Sequence, residues 1–210
     1  MGKATQQAST KPAAQRSGPT FVYAVAGLLV AVLLLGAGGF LWLTGATGGP
    51  EIGGPFTLEN SSGKTVTDQD FRGKFMLVYF GYTYCPDICP TTLTAVVSAL
   101  DKMGPQAKDL TPVFITVDPQ RDTPEVMKRY TAAFSPAIVG LTGTSVEIAK
   151  VAREYRVYYA KHVTGPGPND YSMDHSSILY LMGPNGRFIA PVRADESPAE
   201  MASELEKLMS

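Results

Sequence analysis

At 210 residues the chain has room for one globular domain with a sizeable core plus an extra segment, and too little for two domains. Hydrophobic residues make up 44% and charged residues 18%, with a formal net charge of −1; residues 51–210 carry 15 basic against 19 acidic side chains, a balance that excludes nucleic acid as a partner. Only two cysteines are present, which excludes a disulfide-stapled mini-domain and makes their redox state a functional question.

Residues 1–20, rich in Ala, Ser, Thr, Gln and Pro, have little to bury and read as a flexible cytoplasmic tail. Phe21 to Thr44 (FVYAVAGLLVAVLLLGAGGFLWLT) is almost wholly apolar and exceeds the roughly 20 residues a helix needs to cross a bilayer. Lys3, Lys11 and Arg16 precede it with no acidic residue among them, which keeps the N-terminus inside and exports the remainder. A cleaved signal would have a shorter core, of about 7 to 15 residues, and a small-residue cleavage site, where this run has Phe40, Leu41 and Trp42. A retained transmembrane anchor over 21–44 is therefore expected, followed by a Gly-rich linker over 45–55 (GATGGPEIGGP).

From residue 56 to 210 strand-like and helix-like stretches alternate, as when helices cover a central sheet. A short hairpin over Phe56 to Val66 leads in. Phe75 to Phe80 (FMLVYF) has the continuous apolar character of a strand buried on both faces, and Thr91 to Leu100 has helical spacing. Pro112 to Val117 is a second buried strand; beyond it Asp122 or Thr123 caps a helix with Pro124 in its first turn. A strand near Ala137 to Leu141 and a helix from Ser145 to Tyr155 follow, then a polar Gly/Pro-rich loop. Ser177 to Met182 and Arg187 to Val192 flank the turn GPNG as a hairpin, with Gly186 taking positive φ, and a last helix starts at Ser197-Pro198. This order predicts an α/β, thioredoxin-like fold: a central mixed sheet flanked by helices.

Cys85 and Cys89, in GYTYCPDICP, sit where a buried strand gives way to a helix, and the helix start favours thiolate over thiol. A spacing of four puts both sulfurs on one helical face with Cα atoms about 6 Å apart, so the pair can chelate an ion or close a disulfide. Two thiolates alone suit a redox pair. A third, borderline ligand points to copper, Cu(I) or Cu(II). His175, in MDHSS, is the candidate, because a strand beginning near Ser177 and antiparallel to Phe75–Phe80 starts beside the Cys85 end of that strand. His162, in the loop, is the weaker histidine, and Met173 is better read as packing than as a thioether donor. Asp118 ends the second strand at the same edge and is a candidate to hydrogen-bond a ligand from outside the coordination sphere. Asp122 is better read as a turn or cap residue.

On YCPDICP (84–90), VDPQRDTP (117–124) and DHSSILYLMGPNG (174–186) the sequence resembles the Sco (SenC) family of copper chaperones for the binuclear copper site in subunit II of cytochrome c oxidase. The resemblance implies copper ligation by Cys85, Cys89 and His175, a Cys85–Cys89 disulfide when oxidised, and a single N-terminal anchor. It also implies delivery of copper to subunit II, or reduction of that subunit's cysteines, with another copper chaperone as a candidate donor. The expected location is a bacterial inner membrane with the domain in the periplasm; the alternative is the mitochondrial inner membrane facing the intermembrane space. The competing function is a membrane-anchored thiol-disulfide oxidoreductase with Cys85 attacking and Cys89 resolving, disfavoured because its usual signature is CxxC. A peroxiredoxin-type peroxidase fails on its motif, since the positions before Cys85 that should hold Ser/Thr and Pro hold Tyr82 and Val78.

Overall fold

The computed structural model describes residues 23–24, 26–36 and 52–210. The expected tail, the linker up to residue 51 and both ends of the expected anchor lie outside the described residues. Residues 26–36 are helical, with Leu28, Leu33 and Leu35 exposed along it. Among the described residues no helix is long and apolar enough to cross a membrane.

Residues 52–210 build a seven-stranded mixed sheet in the order β2-β1-β5-β4-β3-β8-β9. Its strands are β1 (Thr57–Asn60), β2 (Thr65–Thr67), β3 (Phe75–Gly81), β4 (Leu110–Thr116), β5 (Val139–Thr142), β8 (Ile178–Met182) and β9 (Phe188–Arg193). The central strand β3 is parallel to β4, with Tyr79 beside Phe114, and antiparallel to β8, with Val78 opposite Tyr180. Being walled in on both edges and both faces, it can be apolar throughout, which is why FMLVYF does not alternate. The lead-in hairpin β1–β2 extends the same sheet through antiparallel pairing of β1 with β5.

The helices are α1 (Ile88–Met103), α2 (Pro124–Ala132), α3 (Ser145–Glu154) and α4 (Pro198–Leu208). Crossovers from β3 to β4 and from β4 to β5 step in one direction, so their right-handedness puts α1 and α2 on one face. The aromatic contacts agree: Tyr79 meets Phe114, and Phe114 meets Tyr130 of α2, with centroids 6.0 and 5.5 Å apart. α4 packs on α1. The pleat sends the next residue, Phe80, to the opposite face, where it meets Tyr155 at the end of α3 and Tyr180 of β8. Start signals read from sequence hold: Thr123 caps α2 through its hydroxyl with Pro124 next, and Ser197 forms a capping box with Glu200. The cap of α2 is Thr123 alone; Asp122 is turned inward. Gly186 adopts φ +75° in the β8–β9 turn.

One element departs from expectation. The polar stretch read as a loop carries a second sheet, the hairpin of β6 (Tyr159–Val163) and β7 (Tyr171–His175), with Tyr159 opposite His175. In β7 the buried Tyr171 and Met173 alternate with Ser172 and Asp174. This period of two marks a strand with one face on the core, and the surrounding Gly and Pro residues obscured it.

Candidate metal centre

β3 ends at Gly81, and after the six residues 82–87 the chain turns into α1 at Ile88. The first turn of α1 brings Cys89 back under the sheet, fully buried, while Cys85 lies at the rim. Gly81 has no freedom to be anything larger: a Cβ there would stand 2.7 Å from Cys89 Sγ and 2.8 Å from the Phe114 ring. The Cys89 amide donates to Cys85 Sγ at 3.4 Å, and Tyr79 Oη donates to Cys89 Sγ at 3.9 Å. No disulfide joins the two cysteines in this structure.

His175, the last residue of β7, faces the pair with Nε2 3.3 Å from Cys89 Sγ. Its Nδ1 is 3.2 Å from the Ser176 carbonyl oxygen, which can only accept, so Nδ1 donates there and Nε2 is the ring nitrogen turned toward the sulfurs. Edge-on contacts with Tyr79 and Tyr82, at 6.0 and 5.9 Å between centroids, frame the ring. One ligand atom from each of Cys85, Cys89 and His175 lies within 4.8 Å of the others, a spread that one ion can bridge.

The two thiols share their protons unequally. Cys85 is pulled down to about 5, chiefly because the Cys89 thiol hydrogen-bonds to it, with the amides of Cys89 and Asp87 and the His175 ring helping against burial. Cys89 is pushed up, first by the neighbouring Cys85 and then by burial. The two opposite shifts favour the thiolate on Cys85 at the rim and the proton on Cys89 behind it. An open cleft of about 380 Å³, lined among others by Tyr82, Cys85, Pro86, Met173 and His175, gives access from solvent.

Other residues singled out in the sequence fall elsewhere. His162 is exposed and pairs across the hairpin with Asp174 at 2.6 Å. Met173 is buried and forms part of the cleft wall. The Asp118 carboxylate pairs with Arg121 and accepts from the Tyr171 hydroxyl at 2.8 Å, while the hydrogen bond at His175 Nδ1 is to the Ser176 carbonyl. Asp122, fully buried, accepts from the Thr83 amide and hydroxyl at 3.1 and 2.6 Å and from Thr116 at 2.5 Å. It thereby pins the turn leading into Cys85. The sequence reading missed Gly81, Tyr79 and Arg121; their spacing to the cysteines carried no signal without the sheet register.

A thioredoxin-like sheet that presents two thiols four residues apart, one in the turn before α1 and one in its first turn, with an imidazole aimed at them from a separate hairpin, defines a soft-ligand metal-binding variant of that fold. The SCO1/SenC family profile matches residues 44–210, and the chain belongs to that family. It is 43% identical over 164 residues to the human mitochondrial protein SCO1 homolog, covering 75% of this chain and 53% of the relative. Protein SenC of Rhodobacter capsulatus is 45% identical over 152 residues, covering 72% and 68%. The chain thus spans about half the length of the mitochondrial relative it matches. The structure of Bradyrhizobium japonicum ScoI with copper bound superposes with a TM-score of 0.69 at 46% identity, covering 75% of this chain and 99% of that one.

Proposed function

We propose that this protein is a copper-binding chaperone in cytochrome c oxidase assembly, holding one copper ion, Cu(I) or Cu(II), between Cys85, Cys89 and His175. The observation that carries the reading is the convergence of those three ligand atoms within 4.8 Å, in a family whose Bradyrhizobium member has been seen with copper bound. Copper as cargo supplies the affinity for thiolate and imidazole together. The protein's own part is to keep the Cys85 sulfur ionised at the rim, to give up the Cys89 proton on loading, and to present a lone pair at Nε2. The recipient is the binuclear copper site of subunit II of the oxidase, and another copper chaperone is the donor.

An N-terminal anchor over residues 21–44 holds the domain to a bacterial inner membrane on the periplasmic side, or to the mitochondrial inner membrane facing the intermembrane space. The charge-free apolar run supports this, as do the apolar side chains exposed along residues 26–36, which suit a lipid surrounding. Residues 1–20 are then the cytoplasmic tail, 45–55 the linker and 56–210 the copper-binding domain.

A second reading, reduction of the oxidase cysteines by a Cys85/Cys89 redox pair, is favoured by one observation: the Cys85 sulfur opens on the cleft with the buried Cys89 thiol directly behind it. Anaerobic copper titration of the reduced protein separates the two, read by thiolate-to-Cu(II) absorption and metal ratio with Cys85→Ser, Cys89→Ser and His175→Ala alongside. Tight one-to-one binding lost in all three variants is the expected result. Binding that is absent, or indifferent to the three substitutions, would leave the thiol-disulfide function in its place.

A further inference from the structure

The loop between β4 and α2 grips both halves of the site through buried side chains. On one side Asp122 holds Thr83, two residues ahead of Cys85. On the other, Arg121 Nη1 donates to the carbonyl oxygens of Tyr171 and Asn169 at 3.0 and 3.3 Å, and its guanidinium carbon lies 3.7 Å from the centre of the Tyr171 ring. Arg121 Nε pairs with Asp118, whose second carboxylate oxygen accepts from the Tyr171 hydroxyl. The ring of Tyr84, next to Cys85, lies on the same guanidinium at 4.6 Å. Side-chain exposure of Arg121 and Asp118 is 7% and 3%, so these are desolvated contacts rather than surface pairs.

Tyr171 opens the strand that His175 closes. That strand belongs to a two-stranded sheet outside the main one, so no backbone ladder ties it to β3 or to α1. Chain continuity into β8 secures its His175 end. Its other end is secured by the fork of Arg121, a planar group able to meet a carboxylate, two carbonyls and a stacked ring at once, as the point charge of a lysine cannot.

We infer that Arg121, acting with Asp118 through Tyr171, is a positioning residue that sets the His175 imidazole against the cysteine sulfurs. The metal readout of this assignment rests on the copper-chaperone reading; a second readout, in the metal-free protein, does not.

In the full chain, Arg121→Leu weakens Cu(II) binding about tenfold or more, in line with the loss of a group that orients a metal ligand. In a His175→Ala background the same substitution changes affinity less than about twofold, because the ligand it places is already gone. Without metal, amide hydrogen exchange over residues 171–175 quickens about tenfold while residues 92–99 of α1 keep their protection. Tyr171→Phe, which removes only the hydroxyl, shows the same pattern at smaller size and carries the test if Arg121→Leu does not fold. Equal losses in both backgrounds, or exchange that is unchanged or raised equally through α1, would overturn the assignment. A wild-type protein that takes up no copper would instead sink the chaperone reading, and the exchange pattern alone would then decide the role of Arg121.

Discussion

Replacing Gly81 by Ala is the smallest change that should disturb the centre without touching any ligand. The added methyl would sit 2.7 Å from Cys89 Sγ and 2.8 Å from Phe114 Cε2, inside ordinary van der Waals contact by most of an ångström on two sides. Neither the backbone nor the neighbours can yield cheaply. β3 is paired in register with β4, Gly81 beside Thr116, and both Cys89 and Phe114 are fully buried. Overpacking of this kind costs about 1–3 kcal/mol. With a urea m-value of about 1–3 kcal/mol/M, the unfolding midpoint drops on the order of 1 M. Any displacement of Cys89 Sγ by the new methyl disturbs its 3.3 Å approach to His175 Nε2, so metal affinity falls together with stability. Cys89→Ala relieves one of the two clashes, so Gly81→Ala should cost measurably less in that background. Urea unfolding of the four proteins of the cycle reads this directly. A Gly81→Ala protein of wild-type midpoint, or an equal penalty with and without the Cys89 sulfur, would refute the steric argument.

Two further outcomes follow from the site. Alkylation of Cys85 by iodoacetamide in the metal-free protein should run at a nearly constant rate from about pH 6.5 to 8 and fall only as pH approaches 5, because a depressed thiol pKa keeps the nucleophile ionised above that value. Cys89→Ala removes the largest cause of that depression and should move the profile upward; a wild-type rate still climbing between pH 8 and 9 would contradict it. His162→Asn should leave metal affinity unchanged and alter stability by no more than about 1 kcal/mol, since its partner Asp174 is as exposed as the histidine itself. Loss of the metal with His162 would require a different ligand set.

Much of the fold could be read in advance because its signals are local. Unbroken apolarity marked β3, Thr123-Pro124 and Ser197-Pro198 marked helix starts, and Gly186 marked the last hairpin turn. The cysteines and His175 could be picked out for a related reason: a strand-to-helix junction and an antiparallel neighbour place them at one edge of the sheet. What was not legible depends on contacts between residues far apart in the chain. Asp118 looked suited to hold the imidazole because it ends the adjacent strand, but nothing in one dimension shows that Arg121 and Tyr171 take up its oxygens. Gly81 reads as an ordinary strand terminus until the register sets its missing side chain against a sulfur. The β6–β7 hairpin was hidden by the Gly and Pro residues of its own connection, although Tyr171 and Met173 carried the alternation.

The unequal depth of the two sulfurs imposes an order of events on any exchange at this edge. Cys85 opens on the cleft and Cys89 is sealed behind it, so an incoming donor atom can reach only the outward side of whatever the three residues hold. The outer thiolate and the imidazole are the first contacts that can be traded, and the inner sulfur is the last grip to be released. Arrival runs the same sequence backwards. A centre built this way behaves as a one-ended berth: approach, overlap of old and new ligands, and departure all occur through a single doorway, and a partner must bring its own ligands to that doorway in the matching order.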